Sequence, residues 1–467
     1  MSKISGVAIP AESLRGDPGA ADLIARYDAR APRYTSYPTA VQFSPAVNAR
    51  VYGEWLSAIT PTRPVSLYVH VPFCARLCWY CGCNTRAVAK ASLVSDYVQG
   101  LRREIAMVRA LMPEGVWANA LHLGGGTPNM LSRDDMVDLF GDLKRAFRLA
   151  PGADIAAEMD PAVLTRDWVR AAAFHGLNRA SLGVQDLSPR VQEAVNRRET
   201  FEVLANAVGW LREVGVRSIN FDLMYGLPRQ TTVDVLSTLD RVLSLRPERL
   251  ALFGYAHVPW MKPHQKLIAE ADLPGAVARL DQSLAAAERL RGEGYVQIGL
   301  DHFALPTDEL AIALAQGRLH RNFQGYTTDA APSLVGFGAS AISSLPQGFA
   351  QNETAELAWR ERVQADALPT ARGVALTDED RFRGELIERL MCDGAVDLNA
   401  VCARHGRSLD ELAPALAQID GFEADGLASL RDGAITVTPR GGIFVRALCA
   451  LFDTHLNREA ARHARVV

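Results

Sequence analysis

A short apolar segment followed by a turn and a longer helical pattern recurs between Ser66 and Tyr255, and this order restricts the fold more than any other feature. The predicted strands are Ser66–Val71, Asn119–Leu123, Asp154–Glu158, Arg179–Val184, Ser218–Leu223 and Leu250–Tyr255. The helical patterns between them include Leu93–Leu111, Asp134–Phe147, Val191–Val195 with Glu202–Val214, and Thr232–Leu245. Strands that alternate with helices at this spacing predict a parallel sheet with right-handed crossovers.

The polar and glycine-rich motifs of this region all follow the carboxyl ends of predicted strands. Barrel enzymes gather their functional loops at that end of the strands. We therefore predict an α/β fold with a partial, open (β/α)6 barrel, in preference to a doubly wound sheet. A helix (Ala276–Gly292), a strand (Val296–Leu300), a loop-like stretch (Leu319–Thr328) and a glycine-rich stretch (Gly336–Ser343) extend it.

The pattern divides the chain into three predicted parts: an N-terminal arm (1–50), the barrel with its extension (51–365) and a C-terminal domain (366–467). The first thirty residues predict a mobile or loosely packed arm, and Arg33–Thr39 predicts an extended strap. The C-terminal part predicts a small, mainly helical, winged-helix-like domain from helical segments and a hairpin: Asp378–Met391, Leu398–His405, Ser408–Ile419, Leu427–Leu430 and Ala434–Val437. Winged helices often bind DNA, but Glu411–Gly426 carries no cation, which favours a lid on the barrel.

The composition limits the class of protein and its partners. The 467 residues are 48% hydrophobic and 22% charged, with a formal net charge of −3, which is typical of a globular chain with more than one domain. The charge balance does not indicate a nucleic-acid partner. No apolar run approaches the roughly 18 residues of a membrane span, and the start lacks a secretory signal pattern. We expect a cytoplasmic protein without a membrane span.

Four of the seven cysteines lie within ten residues, at Cys74, Cys78, Cys81 and Cys83. A chain of this length needs no disulfide framework, so the clustering indicates metal or redox chemistry. Zinc sites more often combine paired Cys or His ligands from two segments, although zinc or another structural site stays the alternative. The C-x3-C-x2-C spacing allows three thiolates to bind three irons of a 4Fe–4S cluster and leaves one iron open. This loop resembles the signature of the radical S-adenosylmethionine (SAM) superfamily.

Further motifs follow the next predicted strands. Gly124-Gly125-Gly126-Thr127-Pro128 resembles the superfamily motif that binds the SAM amino group, and Glu158 is placed to take ribose hydroxyls, with an N-cap or surface role as the alternative. Gln185, Arg197 and Asp222 are polar groups at the ends of apolar strands, where filling the core without partners would be costly. They predict a second zwitterionic, ribose-bearing ligand; an internal Arg–Asp pair is the alternative.

Together these motifs are similar to those of the oxygen-independent coproporphyrinogen III oxidases, over nearly the whole chain. The similarity is carried by Pro32–Thr39, Tyr68-Val69-His70, the Cys74–Cys83 loop, the strand-end motifs, Asp301–Ala304, His320–Thr328, Ala339–Ser343 and Cys449–Asp453. Trp79-Tyr80 departs from the Tyr-Phe pair of the family pattern, but both residues keep aromatic faces. Cys81-x-Cys83 and the His320–Thr328 run separate these oxidases from related haem-trafficking proteins.

The resemblance implies a role for each matched position. The cluster ligands would be Cys74, Cys78 and Cys81, and the catalytic positions would include Tyr68 and Cys83. The first SAM would be bound by Tyr68, Gly125 and Glu158. A second SAM would be bound by Tyr80, Gly126, Thr127, Gln185, Arg197, Asp222, Ala256 and Ile342.

The resemblance also implies the reaction and the partners. Two propionate side chains of coproporphyrinogen III would each lose a hydrogen atom, an electron and CO2 and become vinyl groups, giving protoporphyrinogen IX for haem synthesis. We expect a monomer reduced by flavodoxin or ferredoxin, with an unidentified electron acceptor, and Arg33 and Arg321 as candidates to meet the substrate carboxylates. A haem-binding trafficking protein and a radical SAM methyl or methylene transferase are the alternatives.

Overall fold

The structure is a computed structural model that describes residues 14, 15, 17, 19–28 and 30–456. Most of its strands belong to one large mixed sheet. The strands are β1 (Val65–Val71), β2 (Phe73–Cys74), β3 (Arg86–Ala87), β4 (Trp117–Gly125), β5 (Arg148–Met159), β6 (Arg179–Gln185), β7 (Ser218–Tyr225), β8 (Arg249–Gly254), β9 (Val296–Ile298), β10 (His302–Ala304), β11 (His320–Asn322), β12 (Gly325–Thr327), β13 (Ser333–Phe337), β14 (Ile342–Leu345), β15 (Gly348–Asn352), β16 (Thr370–Ala375), β17 (Ala395–Asp397), β18 (Ala428–Arg431) and β19 (Ala434–Val437).

Helices fill the connections between the strands. They are α1 (Ala20–Tyr27), α2 (Ala49–Ser57), α3 (Ala91–Leu111), α4 (Arg133–Ala146), α5 (Arg166–Phe174), α6 (Pro189–Ala194), α7 (Phe201–Glu213), α8 (Thr232–Leu243), α9 (Ala276–Gly292), α10 (Glu309–Ala315), α11 (Glu356–Gln364), α12 (Asp378–Asp393), α13 (Leu398–His405), α14 (Ala413–Leu416), α15 (Ile419–Ala424) and α16 (Val445–Cys449). Short 3-10 turns occur between them, for example at Pro263–Leu267. Helix α5 was not among the helical patterns recognised in the sequence.

The large sheet has twelve strands in the order β16-β15-β14-β13-β1-β4-β5-β6-β7-β8-β10-β9. Its seven central strands, from β13 to β8, pair in parallel, and the outer strands pair antiparallel. The edge strands β16 and β9 do not pair with each other, so the sheet is open. This α/β arrangement confirms the predicted partial barrel, because six of the parallel strands, β1 and β4 to β8, are the six predicted from the sequence.

The amphipathic pattern of strands and helices builds the main core. Leu121, Leu182, Phe221 and Leu250 are at most 1% exposed, because helices cover the parallel strands. Several strand-to-helix loops end in a hydroxyl residue whose side chain accepts a hydrogen bond from the first turn of the helix: Ser132, Thr165, Thr200 and Thr231. Such caps satisfy amides that otherwise lack partners. The helices therefore start directly after the loops that carry the polar motifs.

A second core lies in the C-terminal domain, where helices α12 to α16 pack around the antiparallel sheet β17-β19-β18. This agrees with the predicted winged-helix-like domain. Helix α1 packs on the same core through Leu23 and Ile24, and the Tyr27 hydroxyl donates to Asp425 at 2.7 Å. The prediction of a loosely packed first thirty residues is therefore wrong for α1, since its apolar face is buried. The rest of that prediction, for residues 1–13, 16, 18 and 29, lies outside the described residues.

Two further expectations differ from the structure. The stretch predicted as a loop at 319–328 forms the antiparallel hairpin β11–β12, in which Gly325, with φ of 126°, directly follows the turn and begins β12. Its strands are too short for an alternating pattern to be visible in the sequence. Strand β16 pairs with β15 in the large sheet, so this last strand of the sheet lies past the predicted boundary at residue 365. No helix among the described residues is long and apolar enough to cross a membrane.

Candidate active site

The central strands surround a cavity of about 590 Å³, called the central cavity here, which reaches from amino-end residues such as Ser218 and Arg249 to carboxyl-end residues such as Glu158 and Gln185. Its wall includes seven of the residues predicted for the site: Tyr80, Cys81, Cys83, Glu158, Gln185, Asp222 and Ala256. The remaining predicted residues do not line this cavity: Tyr68, Cys74, Cys78, Gly125, Gly126, Thr127, Arg197 and Ile342. Most of these contact a wall residue or a cysteine of the loop, as described below.

The cysteine loop follows β2 at one side of the cavity. Cys78 is buried, Cys74 and Cys81 are half-buried, and Cys83 is exposed. The loop is held by the segment after β6: the Trp79 N–H donates to the carbonyl of Val195 at 3.0 Å, and the Asn196 side chain donates to the carbonyl of Leu77 at 3.0 Å. Parallel strand ends thus place distant loops against the cysteines.

The segment after β8 holds the other half of the loop. Three side chains contact loop carbonyls: Gln265 donates to Tyr80 at 2.9 Å, Lys262 donates to Cys83 at 2.9 Å, and a His264 ring nitrogen lies 2.8 Å from the Cys81 carbonyl. Sequence reasoning missed these residues, because carbonyl contacts leave no spacing pattern. Their only signal is their place shortly after His257-Val258-Pro259 at a strand end. We call these three residues the loop clamp.

The thiols of the loop lie in a polar environment that suits a metal cluster. The hydroxyls of Thr85 and Thr127 lie 3.1 and 3.3 Å from Cys74 Sγ, where they are placed to hydrogen-bond a thiolate. Burial raises the pKa of Cys74, and these hydroxyls oppose the rise. A hydrogen bond from Cys83 lowers the pKa of Cys81 to about 7. Thiolates stabilised in this way are the form that binds iron.

The arrangement differs from a site for one ion. Among the described residues, no group of three or more His, Cys, Asp or Glu side chains is placed to hold a single metal ion. In a 4Fe–4S cluster each thiolate binds a different iron, so the sulfur ligands do not have to meet at a single point. The cysteine loop fits that requirement better than the tetrahedral geometry of zinc.

The glycine motif after β4 packs against the start of the cysteine loop. Gly125 has φ of 108°, and a Cβ there would lie 2.5 Å from the His70 ring. A Cβ on Gly126 would lie 2.7 Å from the Phe73 carbonyl. The Gly126 N–H donates to Val71, and the Thr127 N–H donates to Phe73, both at 2.8 Å. Glycine is therefore required for the close approach of the two loops.

Glu158 lies at the end of β5, where it faces the central cavity. Its carboxylate accepts from the Gly125 N–H at 2.9 Å and lies 3.2 Å from His122 Nε2. Burial favours the neutral form of Glu158, but the bonds from His122 and Gly125 outweigh it, so its pKa lies below the usual value. The carboxylate is ionised at neutral pH and able to accept ligand hydroxyls.

Tyr68 lies on β1 behind this carboxylate. Its hydroxyl is 3.0 Å from His70 Nδ1, and its ring stacks on His122 with centroids 5.9 Å apart. The other nitrogen of His70 lies 2.9 Å from the Asn84 carbonyl, directly after the cysteine loop. Burial raises the pKa of Tyr68 well above its usual value, so its hydroxyl stays protonated. Tyr68 and His70 therefore link the Glu158 side of the site to the cysteine loop.

Asp222 forms a half-buried polar group with two neighbours inside β6 and β7. It accepts from Ser181 and from Asn220, both at 2.8 Å. Burial raises the pKa of Asp222 to about 6, and the nearby Glu158 adds to the rise. Gln185 lines the same wall and has φ of 67°, which turns the chain after β6. These groups can accept ribose hydroxyls, as carboxylates do in dinucleotide sites.

Arg197 is 7% exposed and lies beside the cysteine loop. Its guanidinium contacts Glu199 at 3.1 Å and Asp160 at 3.4 Å, and Nη1 is 3.7 Å from Cys78 Sγ. Nε of Arg197 is buried without a hydrogen-bond partner. Arg197 thus forms internal ion pairs with Glu199 and Asp160. This agrees with the alternative prediction of an internal Arg–Asp pair, but the aspartate is not Asp222.

Ile342 lies at the start of β14, which pairs with β13 and not with β1. Its contacts do not include the central cavity. The structure therefore brings together most of the predicted set around the cavity and the cysteine loop. Ile342 does not line the cavity, but its carbonyl lies beside Gly336, which pairs with Tyr68 in the sheet.

Two family models match this chain: the radical SAM superfamily over residues 68–242 and the HemN C-terminal domain over residues 376–444. The oxygen-independent coproporphyrinogen III oxidase of Bradyrhizobium diazoefficiens is 46% identical over 96% of this chain and 100% of that protein. The chain belongs to the oxygen-independent coproporphyrinogen III oxidases. A second member, coproporphyrinogen III oxidase, anaerobic 1, of Cereibacter sphaeroides, is 42% identical over 93% of this chain and 96% of that protein.

A solved structure of this family has the same fold. The coproporphyrinogen III oxidase HemN from Escherichia coli, described as a radical SAM enzyme, superposes with a TM-score of 0.88 at 38% identity. The match covers 91% of this chain and 98% of that protein. Both the sheet and the C-terminal domain therefore belong to the family architecture.

Several cavity residues received no predicted role from the sequence, although His302 and Gln324 belong to motifs that carried the resemblance. His122, Ser181, Asn220, His302 and Gln324 line the central cavity beside the predicted set. His122, Ser181 and Asn220 alternate with apolar residues inside predicted strands. Such alternation does not show from the sequence whether the polar side chains face the barrel interior or solvent. For an oxygen-independent coproporphyrinogen III oxidase, these residues enlarge the polar wall available to cofactor and substrate.

Proposed function

We propose that this chain catalyses the oxygen-independent conversion of two propionate side chains of coproporphyrinogen III into vinyl groups, giving protoporphyrinogen IX. The observation that supports this most is the joint position of Cys74, Cys78 and Cys81 beside the polar central cavity. Membership of the oxidase family gives the substrate. The polar wall at the ends of β5 and β7 gives room for the nucleoside part of SAM.

Each group of residues has a proposed role. Cys74, Cys78 and Cys81 bind a 4Fe–4S cluster, and the hydroxyls of Thr85 and Thr127 stabilise the Cys74 thiolate. Tyr68, Gly125 and Glu158 position a first SAM, and the ionised Glu158 accepts from its hydroxyls. A second SAM is assigned to the remaining positions: Tyr80, Gly126, Thr127, Gln185, Arg197, Asp222, Ala256 and Ile342.

When bound, the cluster and SAM supply the one-electron chemistry that starts removal of a hydrogen atom from a propionate. The protein orients the side chain and excludes water. Cys83 lies on the wall of the central cavity, with its carbonyl bound by Lys262. A fourth thiolate on the cluster would close the iron that SAM must reach, so Cys83 is assigned to the substrate side of the cavity and not to the cluster.

Partners and organisation complete the proposal. The cysteines of the described residues are all free thiols, which suits a cytoplasmic monomer reduced by a small protein such as flavodoxin or ferredoxin. The electron acceptor is left unidentified. We place the boundary of the C-terminal domain after β16, since that strand pairs with the large sheet.

Anaerobic reconstitution with iron and sulfide, followed by an assay with coproporphyrinogen III, SAM and a reductant, tests the reaction. We expect protoporphyrinogen IX with two CO2 released per molecule. A fully loaded protein that makes no such product contradicts the proposal. Tight stoichiometric haem binding without turnover would identify a trafficking protein, and a methylated product would identify a transferase.

A further inference from the structure

A second cavity, of about 630 Å³, adjoins the central cavity. It lies between the strap after α1, the end of β8, helix α9 and the C-terminal domain. The two cavities share four wall residues: Arg33, Gly254, Tyr255 and Ala256. The two cavities therefore meet at the carboxyl end of β8, where these four residues lie between them.

Arginines dominate the wall of this second cavity, and four of them donate to backbone carbonyls. Arg33 donates to Gly254 at 2.9 Å, Arg279 to Tyr255 at 2.8 Å, Arg321 to Arg33 at 3.3 Å and Arg446 to Ala31 at 3.0 Å. These bonds come from segments far apart in the chain. The fold thus brings the four guanidinium groups to one place, and we call this cavity the arginine pocket.

The hydrogen-bonding capacity of Arg33, Arg279 and Arg321 is only partly used. Nε and Nη1 of Arg321 are buried and have no hydrogen-bond partner, while its guanidinium lies 4.2 Å from the Tyr326 ring centroid. Among the described residues, neither Arg33 nor Arg279 forms an ion pair with a carboxylate. A guanidinium has five N–H donors, and one carbonyl satisfies one of them. The pocket therefore holds donors arranged for an oxygen-rich anion.

The acidic groups of the pocket do not cancel its positive charge. Five arginines, Arg30 included, line it with Asp28, Glu270 and Asp301. Glu270 Oε1 lies 3.5 Å from His257 Nε2, and Asp301 Oδ1 lies 2.8 Å from His302 Nδ1. Burial opposes ionisation of Asp301, but His302, Arg321 and Arg33 outweigh it and lower its pKa to about 2. Asp301 is thus a fixed counter-ion, and the pocket keeps a net positive charge.

We propose that the arginine pocket binds substrate carboxylates that are not being decarboxylated, while the reacting propionate enters the central cavity. This assignment rests on the proposed function, whose substrate carries four propionates and loses only two. Arginine forks suit carboxylates because two parallel N–H···O bonds form at once. Burying a carboxylate without such partners would be costly, so a tetracarboxylate requires a cationic pocket near the site of reaction. Arg33 lies on the common wall and is placed to contact either compartment.

The test measures equilibrium binding of coproporphyrinogen III to the cluster-loaded protein without SAM, under anaerobic conditions in which no turnover occurs. Free and bound ligand are separated by ultrafiltration, oxidised and quantified by fluorescence. We expect Arg33→Met and Arg279→Met each to weaken binding about tenfold, which corresponds to about 1.4 kcal/mol. Arg279→Lys should recover part of the loss because it keeps the charge. Mesoporphyrinogen IX keeps the two propionates that are not decarboxylated and has ethyl groups in place of the other two, so the methionine variants should lose affinity for it by a similar factor.

Arg63→Met is the matched control, because Arg63 is exposed, donates to the Ala330 carbonyl and lines neither cavity. It should bind like the wild type. Iron content and the effect of SAM on the cluster spectrum should stay unchanged in the variants. If Arg279→Met does not fold, the affinity of the Arg33→Met variant still tests the assignment, because Arg33 is exposed. Unchanged affinity in Arg33→Met would overturn the assignment.

The assay separates this assignment from the reaction itself. A wild type that forms protoporphyrinogen IX, with unchanged binding in both methionine variants, overturns only the arginine pocket. A wild type that binds coproporphyrinogen III through these arginines but makes no product overturns only the proposed reaction.

Discussion

Cys83 and the three ligand cysteines differ in the results expected from substitution by serine. Cys74→Ser, Cys78→Ser or Cys81→Ser should each abolish the stable cluster, because a three-ligand site cannot spare a thiolate. Iron content and ultraviolet–visible absorbance should fall together in these variants. A variant among them with full iron content would contradict the ligand assignment.

Cys83→Ser should keep a full cluster and an unchanged SAM-induced shift in the electron paramagnetic resonance spectrum, yet lose most turnover. The reason is its place on the wall of the central cavity, apart from the proposed ligand set. Loss of the cluster would make Cys83 a ligand, and full activity would make it a packing residue. The buried Cys402, in the C-terminal domain, provides a control at which serine should leave turnover unchanged.

Asp222 should make SAM binding depend on pH. Its carboxyl group accepts ligand hydroxyls more strongly when it is ionised. Its pKa is raised to about 6, so affinity should fall as the pH drops through that value. From pH 7.5 to 5.5 the ionised fraction falls about fourfold, and the affinity of one of the two SAM molecules should fall by about the same factor. Calorimetric titration at both pH values measures this.

Asp222→Asn should bind SAM more weakly at pH 7.5 and lose the dependence on this group. Asp186→Asn is the control, because the pKa of Asp186 is also about 6 through burial, but its partner is Gln230 and it does not line the cavity. That variant should retain the pH dependence of the wild type. If Asp222→Asn keeps the full pH dependence of SAM affinity, another acidic group is responsible for that dependence.

At the residue scale, the sequence predicted positions with a distinct spacing and missed contacts made through the backbone. Cys74, Glu158 and Asp222 follow strand ends, which can be recognised from apolar patterns. Gln265 and His264 act on carbonyls of a loop that is distant in sequence, so only the folded chain relates them. Ile342 was predicted by resemblance alone, and its role stays a prediction; it lies at the start of β14.

At the scale of elements, the loop clamp after β8 should control how firmly the cysteine loop is held. Gln265 is 1% exposed, donates to the carbonyls of Tyr80 and Ala256, and accepts from the Val258 N–H. Gln265→Leu would leave these buried groups unpaired, at a cost of about 1–3 kcal/mol for each group. We expect faster loss of iron to a chelator, measured by absorbance at the cluster band.

Lys266→Met is the control for this prediction, since Lys266 lies next to Gln265 on the same 3-10 turn but is exposed. Its rate of iron loss should match the wild type. Equal rates for Gln265→Leu and the wild type would show that the clamp does not stabilise the cluster loop.

Elements with a long periodic pattern were predicted within a few residues, as for α3, α9 and β6. Elements stabilised by distant partners were not. Helix α1 has only two turns, and its burial comes from the C-terminal core, more than 300 residues later in the chain. The hairpin β11–β12 has three residues in each strand, so tertiary contacts decide its conformation.

At the scale of the whole molecule, helix α1 joins the start of the chain to its end. Leu23→Ala should lower the free energy of unfolding of the C-terminal domain by about 2–5 kcal/mol, because Leu23 is 3% exposed in that core. Ala25→Ser, on the exposed face of α1, should cost only about 0.5 kcal/mol. Urea denaturation followed by circular dichroism measures both. Equal midpoints for Leu23→Ala and the wild type would show that the packing of α1 adds no stability.

The loop clamp also limits when the cluster can be inserted during synthesis. The residues that hold the carbonyls of Tyr80, Cys81 and Cys83 follow them by 185, 183 and 179 positions. During synthesis, most of the large sheet must therefore be translated after the cysteine loop before the residues that hold the loop in its native conformation are present. We therefore expect stable insertion of the cluster to follow the folding of β8 rather than to accompany the emergence of the cysteines.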